Sequence, residues 1–242
     1  MIELIEPLWT APPAVRSAFT TRGGGFSEPP YAGFNLGLHV GDDPARVARN
    51  RALLRSTLDL PAEPSWIAQT HGTRAVVLEA ETRRDADAAI TRVPGQVAVV
   101  MVADCLPILL CNRDGSEVAA VHAGWRGLQA GVVASTLGRM RSSAAQLLAW
   151  IGPGISRDNF EVGDEVLEAF GESFDGARDF FEAHGEGHWM CDLGGLAERE
   201  LERLGVTEIW RDPRCSYGGA RQFYSYRRDR VTGRMAALIW ID

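Results

Sequence analysis

Apolar residues along this chain come mostly in short runs of four to eight, separated by clusters of Gly, Pro, Asp and Asn, and only a few segments show the spacing of a helix. "VRSAFTTR" (15–22) alternates in the manner of a strand. It is followed by a loop rich in Gly and Pro, "GGGFSEPPYAGFNLGLHVGDD" (23–43). Asp43 before Pro44 is a helix-start signal, and "PARVARNRALLRSTL" (44–58) has helical spacing. "SWIAQTHGTRAVVLEA" (65–80) predicts two strands broken at His71-Gly72. The stretches 95–112 and 116–141 predict strand, turn, strand, then a helix starting near Gly124 or Trp125. Further on come a strand at 146–152, a helix around 162–171, a helix at 193–205 and a strand at 207–210. Two closing strands, "QFYSYRR" and "RMAALIWID", are expected around the connector "DRVTG". Strands and helices mixed in this way predict an α/β chain, layered around a mixed sheet.

The apolar run "VMVADCLPILLCN" is interrupted where it should be most regular. A carboxylate at Asp104 is costly in such a run unless paired, and Pro107 removes a backbone donor that a central strand uses. Pro107 marks a place where regular ladder pairing need not continue. Adjacent strand residues face opposite sides, so Asp104 is poorly placed to assist Cys105 directly. Its readings are support of a ligand histidine or of loop backbone, or a solvated acid at a strand end.

Composition narrows the partners. The 242 residues, 45% of them apolar, suffice for one sizeable core, and one domain over 1–242 is expected. A net charge of −7 argues against a nucleic-acid or anionic-membrane partner. Glu3 and Glu6 stand where a signal peptide needs basic residues, so a cytoplasmic protein is expected. The four cysteines, Cys105, Cys111, Cys191 and Cys215, are too scattered for a disulfide framework, and each reads as a core residue or a chemical one.

Polar groups interrupt apolar strands at "QTHGT", "ADCLP" and "VHAGWRG", where strands should end and side chains can face a crevice. His71, Cys105 and His122 are spaced 71 to 105 to 122, which matches no compact finger pattern. As a ligand set they are more telling: two imidazoles and a thiolate hold zinc and leave a fourth position for water or substrate. Three readings stay open. The residues are a zinc site, or they are separate (a core thiol and two loop histidines), or Cys105 and His122 serve a Cys-His hydrolase as nucleophile and base. A blue-copper site fails unless a distant Met folds in, because the nearest, Met101, lies about 13 Å from Cys105 along a strand.

The remaining polar features carry less. "HAGWRGLQAG" reads as an anion site at Arg126 or as an ordinary helix start. "TTRGGGFSEPPYAGFNLG" reads as a plain connector or as a mobile lid that brings Arg22, Phe34 and Asn35 to a ligand, and His39, further along the same loop, as a surface residue or one that approaches a metal. His184 and His188 are separated by glycines and read as an exposed loop. Arg227 or Arg228 is a candidate to reach the pocket from the C-terminal segment.

Taken in order from residue 19 to 240, the stretches "FTTRGGGFSEPPYAGFNLGLHVGDDPARVARNR", "QTHGT", "DADAAITRVPG", "ADCLPILL", "VHAGWRGL", "IGPGI", "FEVG" and "SYRRDRVTGRMAALIW" resemble the laccase-domain, or polyphenol oxidase, family of YfiH-like purine nucleoside phosphorylases. That resemblance implies a single-domain three-layer α/β/α sandwich with one Zn²⁺ per chain on His71, Cys105 and His122. It implies phosphorolysis of adenosine, inosine and S-methyl-5'-thioadenosine to base and sugar 1-phosphate, with adenosine deamination besides. Purine nucleosides and phosphate are then the partners, with no nucleic acid or membrane, in a monomer or small homo-oligomer. Arg126 is the expected phosphate residue and Asp104 a catalytic candidate. Arg22, Asn35 and Asp42 are expected at the substrate. Five histidines are too few for a multicopper cluster, although the same donors accept Cu²⁺, so a copper-dependent polyphenol oxidase activity stays an alternative. Relatives often carry a second cysteine soon after the position of Cys215, where this chain has "CSYGG".

Overall fold

Three sheets take up the apolar runs, in a computed structural model that describes residues 2–242. The six-stranded sheet runs in the order Glu208–Arg211, Leu147–Ile151, Leu106–Asn112, Val118–Ala123, Ala88–Thr91 and Ala75–Val77. Its two outermost pairs are parallel and its three inner pairs antiparallel. A four-stranded antiparallel sheet has the order Leu4–Ile5, Val15–Thr20, Met235–Ile241 and Ala98–Val102. A small third sheet joins Phe181–Ala183, His188–Cys191 and Glu161–Gly163. The mixed α/β expectation holds, but the single mixed sheet anticipated from the sequence is joined by two others.

Period-2 alternation explains how the two large sheets meet. Phe19, Val100, Val102 and Ala237 of the four-stranded sheet share one buried cluster with Leu109, Val118 and Trp150 of the six-stranded sheet. The other face of the six-stranded sheet packs on the helices Val132–Leu137, Asp164–Ser173 and Leu193–Arg203. The outer face of the four-stranded sheet packs on Pro44–Thr57 through Leu54. Asp43 caps that helix as expected, accepting a hydrogen bond from Ala45 N at 2.8 Å. No helix among the described residues is long and apolar enough to cross a membrane.

Several expected elements differ. The run 95–112 becomes two strands in different sheets, Ala98–Val102 and Leu106–Asn112, and Ala103, Asp104 and Cys105 make the crossing. Pro107 stays in the ladder, opposite His122, so pairing continues through it. In 65–80 only Ala75–Val77 is a strand. The Gln69 side chain substitutes for backbone pairing, donating to Met101 O at 2.7 Å and accepting from Met101 N at 2.8 Å. The helix expected from 124 splits at Gly131, whose φ is +95°, into Trp125–Gln129 and Val132–Leu137. "QFYSYRR" forms no strand: Tyr224 donates from its hydroxyl to Tyr31 O, and Tyr226–Asp229 is one helical turn. His188 belongs to a strand and His184 sits at the hairpin beside it, both exposed and 3.5 Å from Glu161.

Candidate metal centre

The crossing between the two large sheets is where the site is built. Cys105 ends the crossing and enters strand Leu106–Asn112, whose neighbour Val118–Ala123 carries His122 in the register next to it. His71 comes from the loop before Ala75–Val77, in a left-handed conformation at φ +59°. The ligand atoms of His71, Cys105 and His122 all lie within 4.8 Å of one another, with Cys105 Sγ 3.9 Å from His71 Nε2. The two imidazoles meet edge to face with centroids 4.7 Å apart.

Asp87, fully buried at the start of strand Ala88–Thr91, organises this group. Its Oδ1 accepts from His122 Nδ1 at 2.8 Å and from His71 N at 2.9 Å. Its Oδ2 accepts from Gly72 N, Thr70 N and the Thr70 hydroxyl at 2.7 to 3.1 Å. A carboxylate only accepts, so His122 Nδ1 carries a proton and Nε2 is the nitrogen turned to the site. Burial lowers the His122 pKa, but the Cys105 thiolate and Asp87 outweigh it and raise it to about 9, so a metal there would take the place of the Nε2 proton. Burial raises the Asp87 carboxyl, but the hydrogen bond from His122 and those from the loop backbone outweigh it and hold its pKa at about 2. Burial likewise raises the Cys105 thiol, and the facing His122 and His71 bring it down to about 6.

The donor set fits a metal ion. It offers one thiol already biased toward thiolate and one imidazole with its tautomer fixed, in the two-nitrogen, one-sulfur combination of open zinc and copper sites. Gly124 adds a cradle: a Cβ there would stand 2.9 Å from Cys105 Sγ and 3.1 Å from His71 Cδ2.

Cys105 and His71 open on a cavity of about 240 Å³ whose walls include Trp125, Arg126, Phe160 and Tyr226. Arg126 is exposed there, on a five-residue helix too short for a helix dipole to matter. Arg227 also lines the cavity, whereas Arg228 turns away and donates to Ser216 O, Tyr217 O and Phe223 O.

Asp104 borders the same cavity but its carboxylate faces the C-terminal loops. It accepts from the Ser216 hydroxyl at 2.6 Å, the Ser225 hydroxyl at 3.0 Å and Arg227 N at 2.6 Å. Of its expected roles, this is support of loop backbone, and the histidine is supported by Asp87 instead. Asp104 has φ +88°, a strained conformation for a residue with a side chain, held by three hydrogen bonds.

Arg22, Asn35 and Asp42 do not line the cavity. Arg22 donates to Ala220 O and Ala32 O. Buried Asn35 donates to Asp42 Oδ2 at 2.9 Å and accepts from Gly37 N and Arg234 N. These bonds shape the 23–43 loop, which brings His39 into the electrostatic reach of the site: lost hydration lowers its pKa first, then the charges of Arg234, Arg51, His122 and His71. Met101 projects from the outer face of the four-stranded sheet, and Cys111 is buried between the sheets. Asp87 lies outside the set of residues expected from the sequence. Its only signal was an acid in "DADAAI", on the threshold of an apolar strand.

Residues 16–242 match the family model described as multi-copper polyphenol oxidoreductase laccase. Over 243 residues covering both chains completely, the chain is 46% identical to a Shigella flexneri protein named purine nucleoside phosphorylase YfiH, and 45% identical to its Escherichia coli counterpart of the same name. A crystal structure of a Neisseria meningitidis protein superposes with a TM-score of 0.95 at 41% identity over 99% of each chain. The structure of YlmD from Geobacillus stearothermophilus gives a TM-score of 0.85 at 28% identity, over 95% of this chain and 92% of that one. The chain belongs to the multi-copper polyphenol oxidoreductase laccase family, in its YfiH-like branch.

Proposed function

We propose that this chain is a cytoplasmic purine nucleoside phosphorylase, one layered α/β domain over 1–242. It acts on adenosine, inosine and S-methyl-5'-thioadenosine, with adenosine deamination as a second activity. The observation that carries the reading is the His71, Cys105 and His122 cluster at an aromatic, arginine-lined cavity, in a chain alike end to end to proteins that bear the phosphorylase name. Those three residues would hold one zinc ion, or copper in its place, supplying a Lewis acid that activates water at neutral pH for deamination.

The remaining chemistry belongs to the chain's own groups. Asp87 keeps His122 Nδ1 protonated and both histidines fixed. Trp125, Phe160 and Tyr226 wall the cavity with aromatic carbon and exclude water from around a purine. Arg126 holds hydrogen phosphate, one oxygen of which forms a bond to C1′ while the C1′–N9 bond breaks. The base leaves with the electron pair and takes up the phosphate's proton, which balances the reaction. Asp104 positions the loops that carry Ser216, Ser225 and Arg227. Arg22, Asn35 and Asp42 act through the 23–43 loop they hold together.

One arrangement favours a second reading, a Cys-His hydrolase: Asp87, His122 and Cys105 stand in the order orienting acid, base and nucleophile. Metal content separates the two. Protein purified without added metal is expected to carry about one equivalent of zinc, and removing it with a chelator is expected to abolish hypoxanthine release from inosine until zinc is restored. Metal-free protein that still cleaves amides or thioesters would establish the hydrolase.

A further inference from the structure

Three arginines converge on the cavity beside Cys105, and each leans on an aromatic ring of the same cavity. Arg126 lies 4.4 Å from the Trp125 ring centroid, Arg227 5.3 Å from that of Phe160 and Arg230 5.8 Å from that of Tyr226. In a chain of net charge −7, none of the three guanidiniums forms an ion pair among the described residues. Other arginines divide between the two conditions: Arg92 pairs with Glu117 and Arg74 with Glu81, whereas Arg49 and Arg51 lean on Phe26 and Trp66 away from this cavity, so it is the gathering of three at one concave site that sets these apart. The acid that borders this cavity, Asp104, already has its carboxylate occupied by Ser216, Ser225 and Arg227 N. A ring face orients a guanidinium while leaving its N–H edge free, which is how a planar fork is held ready for an oxyanion.

Arg227 is fixed further. Its backbone is held by Asp104, and its Nη1 donates to Glu161 O at 2.7 Å, so the rest of the guanidinium is aimed without a partner among the described residues. Arg230 follows one turn later at φ +60°, exposed, with no side-chain hydrogen bond among the described residues. Three cations gathered on one small concave site, not spread along a surface stripe, match a compact dianion better than a polyanion.

We propose that Arg227 and Arg230 join Arg126 to form the site for inorganic phosphate, which the sugar 1-phosphate product then occupies in turn. The assignment rests on the phosphorylase reading for its ligand, and on the convergence of three unpaired, ring-supported arginines for its location. Arg227 and Arg230 come from the segment that Asp104 clamps. Asp104 is therefore a positioning residue for phosphate, acting through Arg227.

Calorimetric titration of inorganic phosphate, and separately of ribose 1-phosphate, into metal-replete wild type, R230Q, R230K and R227Q tests this. R230Q is the clean variant, since the Arg230 side chain makes no bond in the fold. R230Q and R227Q are expected to weaken both ligands at least fivefold, R230Q with melting temperature unchanged, and R230K is expected to recover at least half of the loss. Phosphate affinity within twofold of wild type in both glutamine variants would overturn the site, as would loss for the ester alone or a wild type that does not bind phosphate. Hypoxanthine release measured in parallel separates the two ideas. Phosphate binding that depends on Arg227 and Arg230, without release from inosine, leaves this site standing and removes the phosphorylase reading.

Discussion

Asp87 does for the site what no ligand can do for itself. With two oxygens it takes the backbone of Thr70, His71 and Gly72 and the ring of His122, so the loop histidine and the strand histidine are held by one buried group. Asp87→Asn keeps the volume but turns one acceptor into a donor facing donors. It is expected to lower metal affinity about 10- to 100-fold, read by competition with a chromogenic chelator, while a change under twofold would show the acid is structural only. The three ligands were legible in the sequence because their residue types form a recognised donor set even at irregular spacing. Asp87 was not, because an acid before a strand looks like any other until the fold brings the 70–72 loop against it. Asp104 was half legible: its cost in an apolar run was plain, but the hydroxyls of Ser216 and Ser225 that satisfy it lie more than a hundred residues away.

At the scale of elements, local signals worked wherever a cap or an apolar run decided the outcome. Asp43 and Pro44 started their helix where expected, and Leu193–Arg203 formed within two residues of its anticipated end. Local patterning could not show that the run from Ala98 to Asn112 changes sheets midway, since both halves are equally apolar and only Asp104 marks the crossing. Asp192 illustrates a cap with a pH signature. It accepts from Gly195 N at 3.0 Å and pairs with Arg211, and although burial raises its carboxyl, these partners bring it below the usual carboxylate range. A lowered folded pKa stabilises above the ordinary value and is lost as pH falls through the lowered one. Asp192→Ala is therefore expected to cost about 1 kcal/mol at pH 7, and the gap from wild type should close below about pH 4. Urea unfolding across that range reads it; a gap independent of pH would contradict the ion-pair account.

Across the whole molecule, the site sits where the two large sheets exchange a strand, so the metal ligands are drawn from three segments distant in sequence. Cys105 belongs to the crossing, His122 to the neighbouring strand and His71 to the loop that Asp87 ties to both. The 23–43 loop and the segment carrying Arg227 and Arg230 approach from the two chain ends, joined through Tyr224, whose hydroxyl donates to Tyr31 O at 2.9 Å. This placement gives one concave surface carrying metal-ligand candidates, aromatic walls and free arginines together, able to act on one substrate pair. Its most direct test is inosine incubated with the metal-replete protein, with and without phosphate, with hypoxanthine and ribose 1-phosphate both quantified. Hypoxanthine released only when phosphate is present, with one ribose 1-phosphate formed for each base, is the predicted result. Release that ignores phosphate and yields free ribose, or no release at all, would contradict it.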